Sequence, residues 1–244
     1  MPMTKPSISI KCNPFLKMSS FKFRTSVIEM LLPLLWLAAC LNFAVGYVQE
    51  ITLYTEPNQE GNAFRFRTKE PDLSPHYSVL LGEVKSHCYM GFWRAFEQRN
   101  YTSSFTFGGG IANAQPRCGN IALATTLSLR YMGPLETTTP SVSIYSGPTP
   151  GAQLDGIELT YTSLAATNFG FIPTNLVLTG RSSWTGFVND DFTGNSTCFS
   201  TTELIRYTNL AGKEIRSLIQ GCNARYNSEY YDIDKFSGQN MLNE

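Results

Sequence analysis

Trp184-Thr-Gly-Phe-Val-Asn-Asp-Asp-Phe-Thr-Gly194 decides the fold, because its key positions recur 91 residues upstream. There Trp93 stands for Trp184, Phe96 for Phe187, Asn100 for Asp191 and Tyr101 for Phe192. The same offset carries Ile51 to Val142 and Tyr54 to Tyr145. Matches in two separate windows mark a duplication, and a repeat constrains a fold more than any single motif does. A shorter offset of 42 residues sits inside each copy, from Tyr54 to Phe96 and from Tyr145 to Phe187. Each of these four aromatics is followed seven residues later by a small residue: Gly61, Ser103, Ala152 and Gly194. Beyond residue 46 the chain therefore reads as four related units arranged in two pairs.

Within a unit the pattern is that of β-structure. Glu50-Ile-Thr-Leu-Tyr54 alternates, Glu56-Pro-Asn-Gln-Glu-Gly61 turns, and Ala63-Phe-Arg-Phe-Arg67 alternates again. Gly61 and Gly194 suit a hairpin backbone with positive φ, where a side chain carries a steric cost. No stretch predicts a helix longer than two turns. Short strands separated by turn signals predict an all-β sandwich. Gly133-Pro-Leu-Glu-Thr-Thr-Thr-Pro140 interrupts the repeat between the pairs and predicts a linker over 133–140. Gly108-Gly-Gly110 is a second candidate, but a boundary there would split the first pair. Residues 223–244 are polar, with Tyr226, Tyr230 and Tyr231 among acids, and read as a tail.

The first 46 residues have another character. Lys5, Lys11, Lys17, Lys22 and Arg24 face a single acid, Glu29, and an apolar run follows from Met30 to Val45. A basic region, an apolar core and the small residues Ala44 and Gly46 before Tyr47 predict a secretory signal peptide over 1–46. Met18 is an alternative start within the long basic region. The alternative of a membrane anchor asks for about 20 apolar residues, and this run is shorter and holds Pro33 and Asn42. Removing the leader takes the chain from zero formal charge to 14 basic and 18 acidic residues, with no cationic surplus for nucleic acid. Four cysteines remain, Cys88, Cys118, Cys198 and Cys222, an even set that suggests two disulfides in one of three connectivities. Asn100-Tyr-Thr102 and Asn195-Ser-Thr197 become usable glycosylation sequons at Asn100 and Asn195. Together these features predict a secreted, extracellular glycoprotein.

The repeat resembles the βγ-crystallin superfamily, whose Greek-key motifs open on an aromatic, place a glycine about seven residues on and end with a serine before the last strand. Tyr54 to Gly61, Trp93 to Tyr101 and above all Trp184 to Gly194 look like the opening hairpins of the first, second and fourth motifs. Ser86, Thr174 and Ser217 match the motif serine, and Thr126 and Ser128 both stand for it in the second motif. Phe96, Tyr145 and Phe187 take the place of the opening aromatic. Ser103 and Ala152, where glycine is expected, mark the second and third motifs as degraded. The resemblance covers residues 48–222 and implies two βγ-crystallin-like Greek-key sandwich domains, 47–132 and 141–222. On that division Cys88–Cys118 and Cys198–Cys222 is the preferred pairing, because each bridge stays within one domain.

The resemblance also raises calcium, which many members hold at loops reading (Asn/Asp)-(Asn/Asp)-x-x-(Ser/Thr)-Ser. Calcium takes six to eight oxygen ligands. Here Gly82-Glu-Val-Lys-Ser-His87 is the best counterpart, with Glu83 and Ser86 as its only candidate ligands. The third loop, Phe169-Gly-Phe-Ile-Pro173, has no acid, and Lys213 in the fourth repels a cation. The expectation is no resident cofactor. His76 and His87 are the only histidines, and neither lies in a nucleophile elbow or a zinc spacing. Neighbouring His87 and Cys88 point to opposite faces of a strand. Trp93, Phe96, Trp184 and Phe187 present flat faces that sugars use, but their periodic spacing favours core packing. The sequence therefore predicts a secreted non-enzymatic structural or interaction protein with an extracellular protein or glycan as partner. Its alternatives are a soluble effector, such as a protease inhibitor or toxin-like defence protein, and a weak calcium-binding module.

Overall fold

The structure, a computed structural model, describes residues 46–222 apart from Pro75, Ser104 and 148–153. The expected leader lies outside the described residues except for Gly46, and the tail 223–244 lies wholly outside them. The compact unit begins at Gly46.

The alternating stretches become strands. In the first unit β1 (Glu50–Tyr54) buries Ile51 and Leu53 between partly exposed neighbours and pairs antiparallel with β2 (Ala63–Phe66) and β3 (Ser86–Gly91). The second unit holds β4 (Trp93–Phe96), β5 (Phe105–Gly108), β6 (Ala112–Asn120) and β7 (Ser128–Tyr131). The third holds β8 (Ser141–Tyr145), β9 (Glu158–Tyr161), β10 (Ala165–Thr167) and β11 (Asn175–Thr179). The fourth holds β12 (Ser183–Phe187), β13 (Ser196–Ser200), β14 (Ile205–Asn209) and β15 (Ser217–Gln220). Among the described residues the α-helix is a single short one, α1 (Ser78–Glu83), leading into β3.

The sheets are β2-β1-β3-β6, β5-β4-β7, β14-β11-β8-β9 and β10-β15-β12-β13. In each unit the first, second and fourth strands share a sheet, while the third crosses to the sheet of its neighbour. So β6 joins the first unit's sheet, β10 the fourth's and β14 the third's. The first unit's third segment makes the same crossing with one bridge, Glu70 to Leu129. This exchange interlocks two Greek keys into one pair of sheets. No strand pairing among the described residues joins β1–β7 to β8–β15, which form two lobes.

Each lobe has its own core. Ile51, Leu53, Leu81, Trp93 and Leu129 fill the first, and Val142, Leu176, Leu178, Trp184 and Leu218 the second. Both tryptophans are fully buried, and each donates its indole N–H, Trp93 to Met90 O and Trp184 to Ser182 Oγ. A buried indole without such a partner would be costly. A third cluster, Phe92, Phe96 and Met132 with Tyr145, Leu154, Val177 and Ile205, lies where the lobes meet. Residues 133–140 are tied on both sides. Gln49 N donates to Leu135 O, the Gln49 amide donates to Met132 O and Pro134 O, and Thr137 N donates to Tyr47 O. From the second lobe, Gly180 N donates to Thr137 O and Thr179 Oγ1 to Thr139 O. A flexible spacer would leave these groups to water; here they are spent on fixing the crossing.

Candidate functional site

Repeated hairpins and their serines form the recurrent polar structure of the molecule. In the first hairpin Asn58, Gln59 and Gly61 take positive φ, and in the second Asn100, Tyr101 and Ser103 do the same at matching positions. Ser103 thus adopts the glycine conformation at φ 71° in spite of its Cβ. In the fourth, Phe192 and Gly194 repeat the last two. The third hairpin departs. Ala152 falls outside the described residues, and the positive-φ glycine there is Gly156, eleven residues after Tyr145 rather than seven. The equivalence rests on bonding: Thr55 N to Asn62 O, Val188 N to Asn195 O and Ser146 N to Ile157 O close the three hairpins alike. A Cβ on Gly156 would meet Ser146 Oγ at 2.6 Å, as one on Gly61 would meet Thr55 Oγ1 at 2.5 Å. So the glycine is kept, and the loop before it is four residues longer.

Ser86 Oγ donates to Glu56 O at 2.6 Å and accepts from Gln59 N at 2.9 Å. Ser128 Oγ likewise donates to Gln98 O and accepts from Tyr101 N. Ser217 Oγ donates to Asn189 O. Each serine ties a folded-over hairpin to the strand that pairs with its opening aromatic, and register fixes who does it: Tyr54 opposes Ser86, Phe96 opposes Ser128 and Phe187 opposes Ser217. Thr126 is excluded from this role, since its hydroxyl meets Thr106 Oγ1 instead. In the third unit Tyr145 opposes Asn175, so Asn175 occupies the serine position and Thr174 lies one residue short of it. Thr174 Oγ1 donates to Tyr145 O at 3.3 Å and accepts from the Asn175 amide, and Asn175 Oδ1 accepts from Tyr207 OH.

The same loops test the fit for calcium. Ser86 Oγ already serves Glu56 O and Gln59 N, and Lys85 Nζ sits 3.0 Å from Glu56. In the fourth unit an open cleft of about 570 Å³ is lined by Asn189, Asp190, Asp191, Glu214 and Arg216, and Arg216 pairs with Glu214 at 2.7 Å. Lys85 pairs with Glu56 beside the first loop and Arg216 with Glu214 in the fourth, while Glu83 is exposed. Among the described residues no group of three or more His, Cys, Asp or Glu is placed to share a metal. These residues do not assemble the oxygen cage that calcium requires.

Cys88 and Cys118, directly opposite on β3 and β6, form one disulfide, and Cys198 and Cys222 form the other. His87 is buried in a stack with Tyr89 and against the edge of Phe107. Burial lowers its pKa, partly offset by a hydrogen bond to the Gly119 backbone. Cys88 is engaged in its bridge and has no thiol to offer. Asn100 and Asn195 are exposed on hairpins.

Charged side chains gather at one further place, between the lobes. The side chain of Glu158 on β9 is 7% exposed and accepts from Lys69 Nζ at 2.9 Å, Tyr145 OH at 3.0 Å and Gly133 N at 2.8 Å. Arg130 on β7, 1% exposed, lies 3.9 Å from the other carboxylate oxygen. Its guanidinium donates to Gly156 O at 2.9 Å and to Leu154 O, and packs on the ring of Tyr101 at 4.5 Å and of Tyr145 at 5.3 Å. Burial pushes the Glu158 carboxyl up, but Lys69 and then Arg130 outweigh it and hold it below its ordinary value.

No family model and no curated protein matches the chain. Among solved structures, Protein S complexed with calcium aligns at a TM-score of 0.24 and 11% identity, over 70% of this chain and 99% of its own. Geodin, a βγ-crystallin from Geodia cydonium, aligns at a TM-score of 0.50 and 15% identity, over 72% of this chain and 100% of its own. The chain has a βγ-crystallin-like fold. Among the described residues a hairpin-to-serine tie is seen in the first, second and fourth units, and the third has a longer hairpin that reaches the neighbouring lobe. The sequence carried a signal for the correct tie residues. Tyr54 to Ser86 and Phe96 to Ser128 are both 32 residues, and Phe187 to Ser217 and Tyr145 to Asn175 both 30. Arg130, Lys69 and Glu158 had no such signal, because they belong to no repeat.

Proposed function

We propose that the chain is a secreted, non-enzymatic structural or interaction module of the extracellular space. The observation that carries this reading is the pair of disulfides, one in each lobe and both at the surface: Cys118 and Cys198 are exposed. Such bridges persist in oxidising compartments and are reduced in the cytosol. Among the described residues no helix is long and apolar enough to cross a membrane, and the reading includes a leader over 1–46 that is removed on secretion. The lobes correspond to domains 47–132 and 141–222, with glycans on the exposed Asn100 and Asn195. The partner is an extracellular protein or glycan. The buried His87 with its aromatic neighbours, and the bridged Cys88, support the non-enzymatic part of the reading.

A melting curve in chelator and then in millimolar calcium tests the metal-independent character of the module. The expected result is an unchanged midpoint. A ligand bound only by the folded state adds about 2.7 kcal/mol at a hundredfold excess over its dissociation constant. A rise of that order would replace this reading with a calcium-modulated one.

A further inference from the structure

We propose that the lengthened third hairpin, gripped by Arg130 and anchored through Glu158, locks the two lobes into a single unfolding unit. Three observations on separate elements converge on this. First, the third hairpin, whose glycine comes four residues later than in the first and fourth units, touches the other lobe: Gly156 N donates to Tyr101 O at 2.8 Å, and Leu154 is buried in the cluster between the lobes. Second, Arg130 of the first lobe addresses this hairpin through its backbone, with one guanidinium nitrogen on Leu154 O and the other on Gly156 O. A planar fork on two carbonyls two residues apart holds position as well as charge. Third, Glu158, the second residue after that glycine, takes Lys69 from the first lobe and Gly133 N from the crossing segment, so the stretch from Leu154 to Glu158 is held along its length.

The lock is costly to open from either side. If the first lobe unfolds, Glu158 loses Lys69 and Arg130 together and keeps the hydroxyls of Tyr145 and Thr160. If the second unfolds, Arg130 loses the carbonyls, the carboxylate and the Tyr145 ring together. Breaking a buried pair by removing one partner is strongly unfavourable, because the other charge is left uncompensated. Each lobe therefore depends on its neighbour's presence, although each has a core and a disulfide of its own.

Hydrogen exchange of the full chain in increasing urea, read peptide by peptide, tests this, since local and global openings are separated by their urea dependence. In the wild type, peptides of β1 and β3 and peptides of β12 and β15 should lose protection at one common midpoint. Arg130→Met, which keeps the length and removes the fork, should split that midpoint in two. Ile51→Val, in the first lobe's core, should lower both lobes' midpoints in the wild-type background and only the first lobe's in Arg130→Met. Should Arg130→Met leave neither lobe protected in buffer, the milder Glu158→Gln, which retains the Arg130 bonds to the carbonyls, carries the same comparison. Separate midpoints in the wild type, or a single midpoint in both variants, would overturn the proposal.

Discussion

Removing the hydroxyl of Ser128 should cost far more than removing that of Thr174, although both residues match the motif serine in sequence. Ser128 is fully buried and its Oγ makes two hydrogen bonds, donated to Gln98 O at 2.6 Å and accepted from Tyr101 N at 3.0 Å. Each is worth about 1 kcal/mol net, and groups left unpaired away from water add to that. Gln98 is exposed and Tyr101 half-buried, so water recovers part of the second term. Ser128→Ala should then cost about 2 kcal/mol, and Ser86→Ala, with the same pair of bonds, about as much. Thr174 Oγ1 donates to Tyr145 O at 3.3 Å, an acceptor already served by Thr174 N at 3.0 Å, and accepts from the Asn175 amide. Thr174→Ala should cost about 0.5 kcal/mol. The difference of about 1.5 kcal/mol is roughly tenfold in the unfolding constant. Urea titrations with unchanged slope read it directly. If Thr174→Ala proves as damaging as Ser128→Ala, the register argument that places Asn175 in the serine position is wrong.

Ser103→Gly should stabilise the protein by about 0.5 kcal/mol, because relief of a left-handed side chain exceeds the added freedom of the unfolded chain; a lowered urea midpoint would contradict the strained assignment. Replacing Cys88 and Cys118 together by alanine opens a crosslink spanning 30 residues and should cost about 3.5 kcal/mol on the chain-entropy account, read as a fall in midpoint. The His87 pKa is lowered in the folded state, so the unfolded chain takes up its proton first, near the ordinary 6.5. Stability from this group is full above that value, falls as the pH drops through it, and stops falling below the folded pKa. The difference in melting temperature between wild type and His87→Gln should therefore shrink on going from about pH 8 to about pH 5; a constant difference would refute the assigned burial.

The repeat was legible because its positions answer to local physics. An aromatic ends each first strand, and positive φ close behind it favours glycine, so both recur at fixed spacing wherever the hairpin keeps its length. The third hairpin broke that regularity, and a fixed step of seven landed on Ala152 while the glycine had moved to Gly156. Thr174 matched by residue type alone; strand pairing with Tyr145 selects Asn175. Segment 133–140 reads as a spacer from its prolines and threonines, yet Thr137 and Thr139 are bonding residues whose partners, Tyr47, Thr179 and Gly180, lie far away in sequence. The cluster of Lys69, Arg130 and Glu158 was illegible for the same reason. Contacts between lobes follow no period, and single charges in strands look like solvated ones until their neighbours are placed.

The most direct test of the account is peptide mapping, without reduction, of the protein released by eukaryotic cells expressing the full chain. The account predicts an amino terminus at Tyr47, linked peptides joining Cys88 to Cys118 and Cys198 to Cys222, and glycosidase-sensitive mass on Asn100 and Asn195. A chain retained inside the cell with free thiols, or a bridge joining Cys118 to Cys198 across the two lobes, would contradict it.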